Sequence, residues 1–523
     1  MRCTLFRLFS LPGALCLGVL TAGDAAAVDF NWNVDGPADW NVGTNWDPEG
    51  PPTEDGNGDN GREFAYVNNG GTAEITDVIP DVADIFVGAG ADTSGTLNQS
   101  AGNTFVANDS WMFVGQDGGT GTYNLSGGTQ GKARLYVGRG AGGVGELNLS
   151  GSGVVGGDLL VAGVDGGVAT VNVTGGGSAN TTGNIELHNA TVTITDDALM
   201  KSGNEVWFGN GGGNTTTANM DSGTVEANTW IAIGRDSSTG TVNLSGSAVV
   251  RKIAVDDGNP ENISNSEQSF IVIGGLGSGG SGTLNVQDNA TVWSDTGMVL
   301  NETAGQAGIV NQSGGTVTLH DYASTNAVFG DSLEMDPNGH GLGEYHLSGG
   351  VLNAETVDVG GGLFDMTGGT LSATNFIGDL TQGGGTISPG DSPGTMTVTG
   401  NYSLDSGDLF MEIEGTMAGT EYDQLIVTGD VSLAGELTLA GAYVPSASDA
   451  FILIDNQGAN AVSGAFTGLA EGATVTFNGI DLTLSYMGGD GNDVVLSGPV
   501  PEPTTLALLA GLGLAGVASR RRR

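Results

Sequence analysis

The chain has 523 residues, 95 of them glycine, with 59 acidic side chains against 14 basic ones. That imbalance excludes a nucleic-acid binder and repels anionic membrane surfaces. Hydrophobic residues make up 38% and fall in short bursts between glycines, which excludes a disordered acidic chain. Glycine does not recur at every third place, so a collagen-like chain is excluded too.

At the start, Arg2 and Arg7 precede an apolar run from Leu8 to Leu20, and Asp24-Ala25-Ala26-Ala27 follows. A charged, then apolar, then small-residue order predicts a secretory signal peptide over residues 1–27, with Ala25 and Ala27 marking the cleavage site for signal peptidase. The run falls short of the roughly 20 residues that span a bilayer. Cys3 and Cys16, the two cysteines, both lie inside residues 1–27, so the exported body is expected to hold no disulfide. Setting aside the signal and the charged residues of the C-terminal tail leaves 8 basic and 57 acidic residues, a formal charge of −49.

Residues 28–83 hold Trp32, Trp40 and Trp46, three of the seven tryptophans. They predict an N-terminal cap over the end of a sheet, an edge that must be covered. From residue 84 to 387 one unit recurs: an apolar burst ending in glycine, a loop, and a strand such as GTYNLSGG at Gly121, GELNLSG at Gly145 or GTVNLSG at Gly240. Asn124, Asn148 and Asn172 stand 24 residues apart, a period that means a solenoid or a blade array. Within the unit Tyr123 and Leu125 are apolar while Thr122, Asn124 and Ser126 are polar, as in a strand with one face buried. Two or three short strands in about two dozen residues make one coil, where a propeller blade needs roughly 40 residues. The expected fold is an all-β parallel β-helix, or solenoid. Leu125, Leu149, Val173, Leu244 and Val286 form its inner ladder and the asparagines an outer one. The longer interval from Gly234 to Gly274 is read as a coil with an insertion at Asp256 to Ser269, which contains Pro260.

The pairs Asn31-Trp32 and Thr44-Asn45-Trp46-Asp47-Pro48, together with the Gly-Thr-Leu-Asn-Leu-Ser-Gly units, resemble bacterial autotransporter-associated repeat proteins. The resemblance covers most of the body and implies architecture more than activity. An autotransporter passenger itself would need a C-terminal membrane barrel, and the tail offers one short apolar segment instead. Past Ser388, where Pro389 and Pro393 interrupt pairing, a C-terminal β module is expected over residues 388–498. Its Asn478-Gly479 predicts a two-residue hairpin.

In the tail, residues 499–523, Pro501-Glu502-Pro503 leads into an apolar run from Thr504 to Ser519, then Arg520, Arg521, Arg522 and Arg523. The prolines keep the motif extended, and Pro503 can open a helix because its missing N–H costs nothing there. Sixteen apolar residues are near the short limit of a transmembrane helix, and four arginines resist translocation and act as a cytoplasmic stop. The three parts resemble the PEP-CTERM sorting signal. That resemblance implies recognition by an exosortase, cleavage near the motif and export to the cell surface.

An enzyme on this scaffold, a secreted polysaccharide lyase or hydrolase, needs clustered carboxylates with a base or a cation in one groove. The candidates are Lys132, Arg134 and Arg139 on neighbouring units, and the pairs Asp196-Asp197 and Asp256-Asp257. In so acidic a chain such pairs read as solvated coil edges. His188, His320, His340 and His346 lack the close spacing of a zinc site. Gly488 to Leu496 fits one copy of a calcium-binding nonapeptide, but that site needs stacked copies, so it reads as a turn. The expectation is a structural or adhesive surface protein for extracellular polysaccharide, with no catalytic residues, metal or cofactor. The polysaccharide-active enzyme is the alternative.

Overall fold

A computed structural model describes residues 27–53, 63–104, 110–254, 269–303, 306–319, 332–390 and 392–498. Within them the chain is all-β, and its long, mostly parallel sheet is wound in coils as in a β-solenoid. One coil shows the plan. Strands Arg134–Arg139, Val144–Leu149 and Val154–Val155 are followed by Leu159–Val164, Val168–Val173 and Ser178–Thr181. Each strand pairs in parallel with its counterpart one coil on, Leu135 opposite Leu160, Asn148 opposite Asn172 and Val155 opposite Ala179. Three ladders result, here called the first, second and third sheets in the order in which a coil visits them.

Period-two alternation places the inner residues as expected: Leu125, Leu149, Val173, Leu244 and Val286 are all at most 1% exposed and belong to one continuous core. Three buried polar pairs recur among them. Tyr123, Tyr345 and Tyr402 donate to Gln99, Gln312 and Gln382 of the preceding coil at 2.5, 2.6 and 2.9 Å. Each glutamine in turn donates from Nε2 to a corner carbonyl three residues on, Gly102, Gly315 or Gly385. Burial pushes all three phenols up, so each hydroxyl keeps its proton and remains a donor. Tyr345→Phe leaves the Gln312 carbonyl oxygen without this donor, and urea denaturation should show a loss of about 1–2 kcal/mol.

Coils extend beyond the repeat on both sides. In the segment expected as a cap, Val28–Trp32 runs parallel to Glu63–Val67, and Pro37–Asp39 runs parallel to Asn69–Ile75. The lid is narrower: Trp46–Asp47 lies antiparallel on the outer edge of Val28–Trp32. Trp46 meets Trp32 and Trp40 edge-on, with ring centroids 4.9 and 4.7 Å apart, and its indole N–H bonds the Trp40 carbonyl. At Ser388 the ladders run on. Leu380–Pro389 pairs forward with Tyr402–Leu404 and Asp408–Glu412, because Pro389 ends its strand and the Gly390 N–H takes the next bond, to the Ala373 carbonyl. Parallel pairing continues to Ser463–Gly464. Asp493–Ser497 then closes the first sheet, antiparallel to both Ala450–Asn456 and Ile480–Gly488.

The insertion expected between Gly234 and Gly274 falls at one corner, after Val249–Lys252 of the third sheet and before Ile271–Leu276 of the first. Its residues 255–268, with Asp256 and Asp257, lie outside the described residues, as do Ala25, His320 and the whole tail. No helix among the described residues is long and apolar enough to cross a membrane, and the apolar run from Thr504 to Ser519 is not among them.

Candidate functional site

The outward face of the second sheet carries the most regular chemistry. Asn98, Asn124, Asn148 and Asn172 stand in register on successive strands. Each Nδ2 donates to the Oδ1 of the asparagine one coil earlier at 2.8, 2.9 and 2.8 Å. Asn219, Asn243, Asn285 and Asn311 repeat the column at 2.8, 2.7 and 2.9 Å. Beside it runs a second column: Thr96, Thr122, Glu146, Thr170, Thr191, Thr217, Thr241 and Thr283. A side-chain amide has two N–H donors and two lone pairs. Within the column each inner asparagine commits one of each to its neighbours, and Asn148 also gives its second N–H to Glu146 at 3.0 Å, so an amide recurs about every 4.8 Å.

The column has one break. Thr193 stands between Asn172 and Asn219 in the register and reaches neither amide. Beside the break lies a depression of about 160 Å³ lined by Thr193, Thr195, Asn219, Asp221, Asn243 and Ser245, with Met220 behind them. Sequence reasoning found the asparagine column from its period and missed the break. The signal was present in Ala190-Thr191-Val192-Thr193-Ile194, a unit with threonine at the asparagine position.

The first sheet's outer face is aromatic at its N-terminal end. Tyr66, Phe86, Phe113 and Tyr136 stack at 4.6, 5.0 and 5.3 Å with interplanar angles of 8–10°. Their ring faces cover one another, so the stack serves coil-to-coil cohesion and presents edges outward. Arg139 lies over Phe113 and Tyr136 and reaches Asp165 at 3.5 Å, while Arg134 lies over Trp111. Lys132 turns inward, fully buried, and its Nζ donates to the Val82 and Ala83 carbonyls. The three cations that sequence spacing put side by side therefore serve different places and form no groove.

Further along this face Arg235 stacks on Trp207 at 4.2 Å and bonds Glu205 and Asp236, each at 3.1 Å. On the third sheet Glu226 is held between Lys201 and Arg251 at 2.5 and 2.6 Å. Burial raises its pKa, but the Lys201 hydrogen bond and the two positive charges outweigh that and hold the carboxyl below its usual range. Arg139, Arg235, Lys201 and Arg251 are thus tied to carboxylates, and Lys132 and Lys252 are buried.

His188 sits beside Glu186 at 3.4 Å, His340 beside Asp336 at 3.6 Å, and His346 between Glu344 and Asp365 at 3.1 and 3.3 Å. No group of three ligand-type side chains placed to hold a metal occurs among the described residues. Asp196 and Asp197 form an exposed corner at positive φ, with the Asp196 amide donating to Ser222. In the nonapeptide, Asn492 donates to the Asn456 and Gly458 carbonyls and Asp493 accepts from the Asn456 amide. These two side chains dock the closing hairpin onto the last coil.

The remaining candidate residues, Pro501, Glu502, Pro503 and Arg520 to Arg523, lie outside the described residues. The body holds its chain up to the edge of that segment, where the Gly498 amide donates to the Asp449 carbonyl at 2.9 Å. A family model for the PEP-CTERM protein-sorting motif matches residues 499–523. Comparison with curated proteins gives no match. The chain carries an exosortase sorting signal, the mark of a protein that is exported and sorted to the cell surface.

Proposed function

We propose, from the sorting motif as premise, that the chain is a structural or adhesive component of the cell surface or extracellular matrix. The solenoid presents its polar second sheet to extracellular polysaccharide and performs no catalysis. Signal peptidase removes residues 1–27, the segment from Thr504 holds the chain in the membrane transiently, and exosortase processing near Pro501-Glu502-Pro503 releases the body outward. The passenger-like repeats and their N-terminal tryptophans then act as a rod and its cover.

One observation carries this reading: the amide column repeats the same donor and acceptor coil after coil. Such a face suits a polymer with repeating hydroxyls, each contact weak and the sum set by the number engaged at once. The formal charge of the body and the pairing of its cations favour neutral over anionic chains. Co-sedimentation of the body with insoluble neutral polysaccharides should retain it, and a reducing-end assay on the same material should find no turnover. Turnover that vanishes on changing a single carboxylate would replace the binder with an enzyme.

A further inference from the structure

We infer that the break in the amide column at Thr193 is a subsite for one neutral pyranose unit of a polysaccharide lying along the second sheet. This rests on the binding role proposed above and deepens it. All six column bonds run one way, Nδ2 donating toward the preceding coil. The break is therefore polar in a defined sense: Asn219, which lines the depression, keeps an Nδ2 outside the column bonds, and Asn172, on the far side of Thr193 and outside the lining, keeps an Oδ1. Neither group has a column partner, and the Thr193 hydroxyl and the Asp221 carboxylate have no side-chain hydrogen bond among the described residues.

These groups are what adjacent sugar hydroxyls require. A carboxylate accepts two O–H bonds, an amide N–H donates one, and a threonine hydroxyl does either. Thr193, Thr195 and Met220, which line the depression, carry the methyl and thioether groups that suit ring C–H groups. At about 160 Å³ the depression is well below the roughly 300–1,000 Å³ of sites for drug-sized ligands, so it takes one ring, not an oligosaccharide. Asp221 lines it and Asp196 and Asp197 stand in the adjoining corner, so a uronate or sulfated sugar is repelled. Along the rest of the column the amide contacts repeat from coil to coil; here a chain gains a register.

The test uses the full-length chain purified in detergent, with cellohexaose, mannohexaose and galactohexaose as neutral probes and polygalacturonate as the charged one, read by saturation-transfer NMR and calorimetry. At least one neutral hexaose should bind, and polygalacturonate should not. Thr193→Asn, which completes the column and fills the depression, should weaken that binding at least tenfold while leaving the urea midpoint equal or higher. Asp221→Ala should weaken it similarly, and Asn353→Ala on the third sheet should not. Unchanged binding in both Thr193→Asn and Asp221→Ala overturns the subsite and leaves the wider binding face standing. Failure of the wild-type chain to bind any neutral hexaose overturns both.

Discussion

Gly138→Ala is expected to lower stability by more than about 3 kcal/mol or to prevent folding, because it attacks the corner that the repeat is built around. Gly138 is the last residue but one of the first-sheet strand Arg134–Arg139, with φ at +65°, and Gly145 is the second residue of the second-sheet strand Val144–Leu149 of the same coil. The two backbones cross there without room for a side chain. A Cβ on Gly138 would lie 2.0 Å from the Val168 carbonyl oxygen of the next coil, and one on Gly145 would lie 2.2 Å from the Gly138 nitrogen. All these close atoms are backbone, so relief requires changing the coil spacing, and in a solenoid that strain passes to the neighbouring coils. The left-handed conformation adds about 1–2 kcal/mol for an L side chain. Gly212→Ala is the control: nothing lies within 4 Å of its Cβ position, and its change should stay within about 1 kcal/mol. Urea denaturation of the two variants side by side separates corner strain from a general dependence on glycine.

Asp423→Asn should cost about 2–4 kcal/mol at neutral pH, and its cost should grow on acidification. Asp423 is fully buried beneath the turn that joins Leu380–Pro389 to the next coil. Its Oδ1 accepts from the Gly394 amide at 2.7 Å and its Oδ2 from the Glu412 amide at 2.8 Å. An asparagine turns one NH₂ group against a backbone donor and leaves that donor unpaired. Burial pushes the Asp423 carboxyl up to about 6, overcoming the downward pull of the two amide donors, and the Glu412 charge adds to the rise. A folded-state pKa above the unfolded value of 3.8 means that the native state binds the proton more tightly. The resulting stabilisation is fully present below about 3.8 and is lost as pH rises through about 6. The asparagine variant lacks this gain, so the gap in urea midpoint between wild type and variant should be wider at pH 4.5 than at pH 7.

The coil was legible because Asn124, Asn148 and Asn172 keep one period and because Tyr123 and Leu125 alternate with polar neighbours, two signals that both report backbone geometry. The hairpin at Asn478-Gly479 was legible for the same reason. Both residues adopt the positive φ that the pair favours, and Thr474–Phe477 folds back on Ile480–Gly488. The extent of the solenoid was not. Gly343–Asp358 crosses all three sheets as one strand of 16 residues, with none of the loop punctuation that marks earlier coils, and the coils after Ser388 share neither length nor motif with the repeat. Coil membership there is set by which strands pair one coil apart, at separations that change from coil to coil, which no local pattern encodes. The inward turn of Lys132 was hidden likewise, since its acceptors Val82 and Ala83 lie about fifty residues back. In the candidate site, period found the asparagines, whereas the break at Thr193 depends on one side chain being too short, a fact of packing and not of pattern.

Mass spectrometry of the C-terminus, on protein extracted from the cell surface, tests the account at its centre. The body is folded as far as Gly498, so the motif Pro501-Glu502-Pro503 follows the last strand within a few residues of sequence. An arginine costs about 2.5–3.5 kcal/mol at a bilayer centre, and in this proposal the four behind the motif hold the tail in place for the cut. The account predicts surface protein that ends near the motif and lacks every peptide through Arg523, with Glu502→Ala leaving full-length chain in the membrane fraction. An intact C-terminal peptide through Arg523 on surface protein from wild-type cells would contradict it and make the tail a permanent anchor.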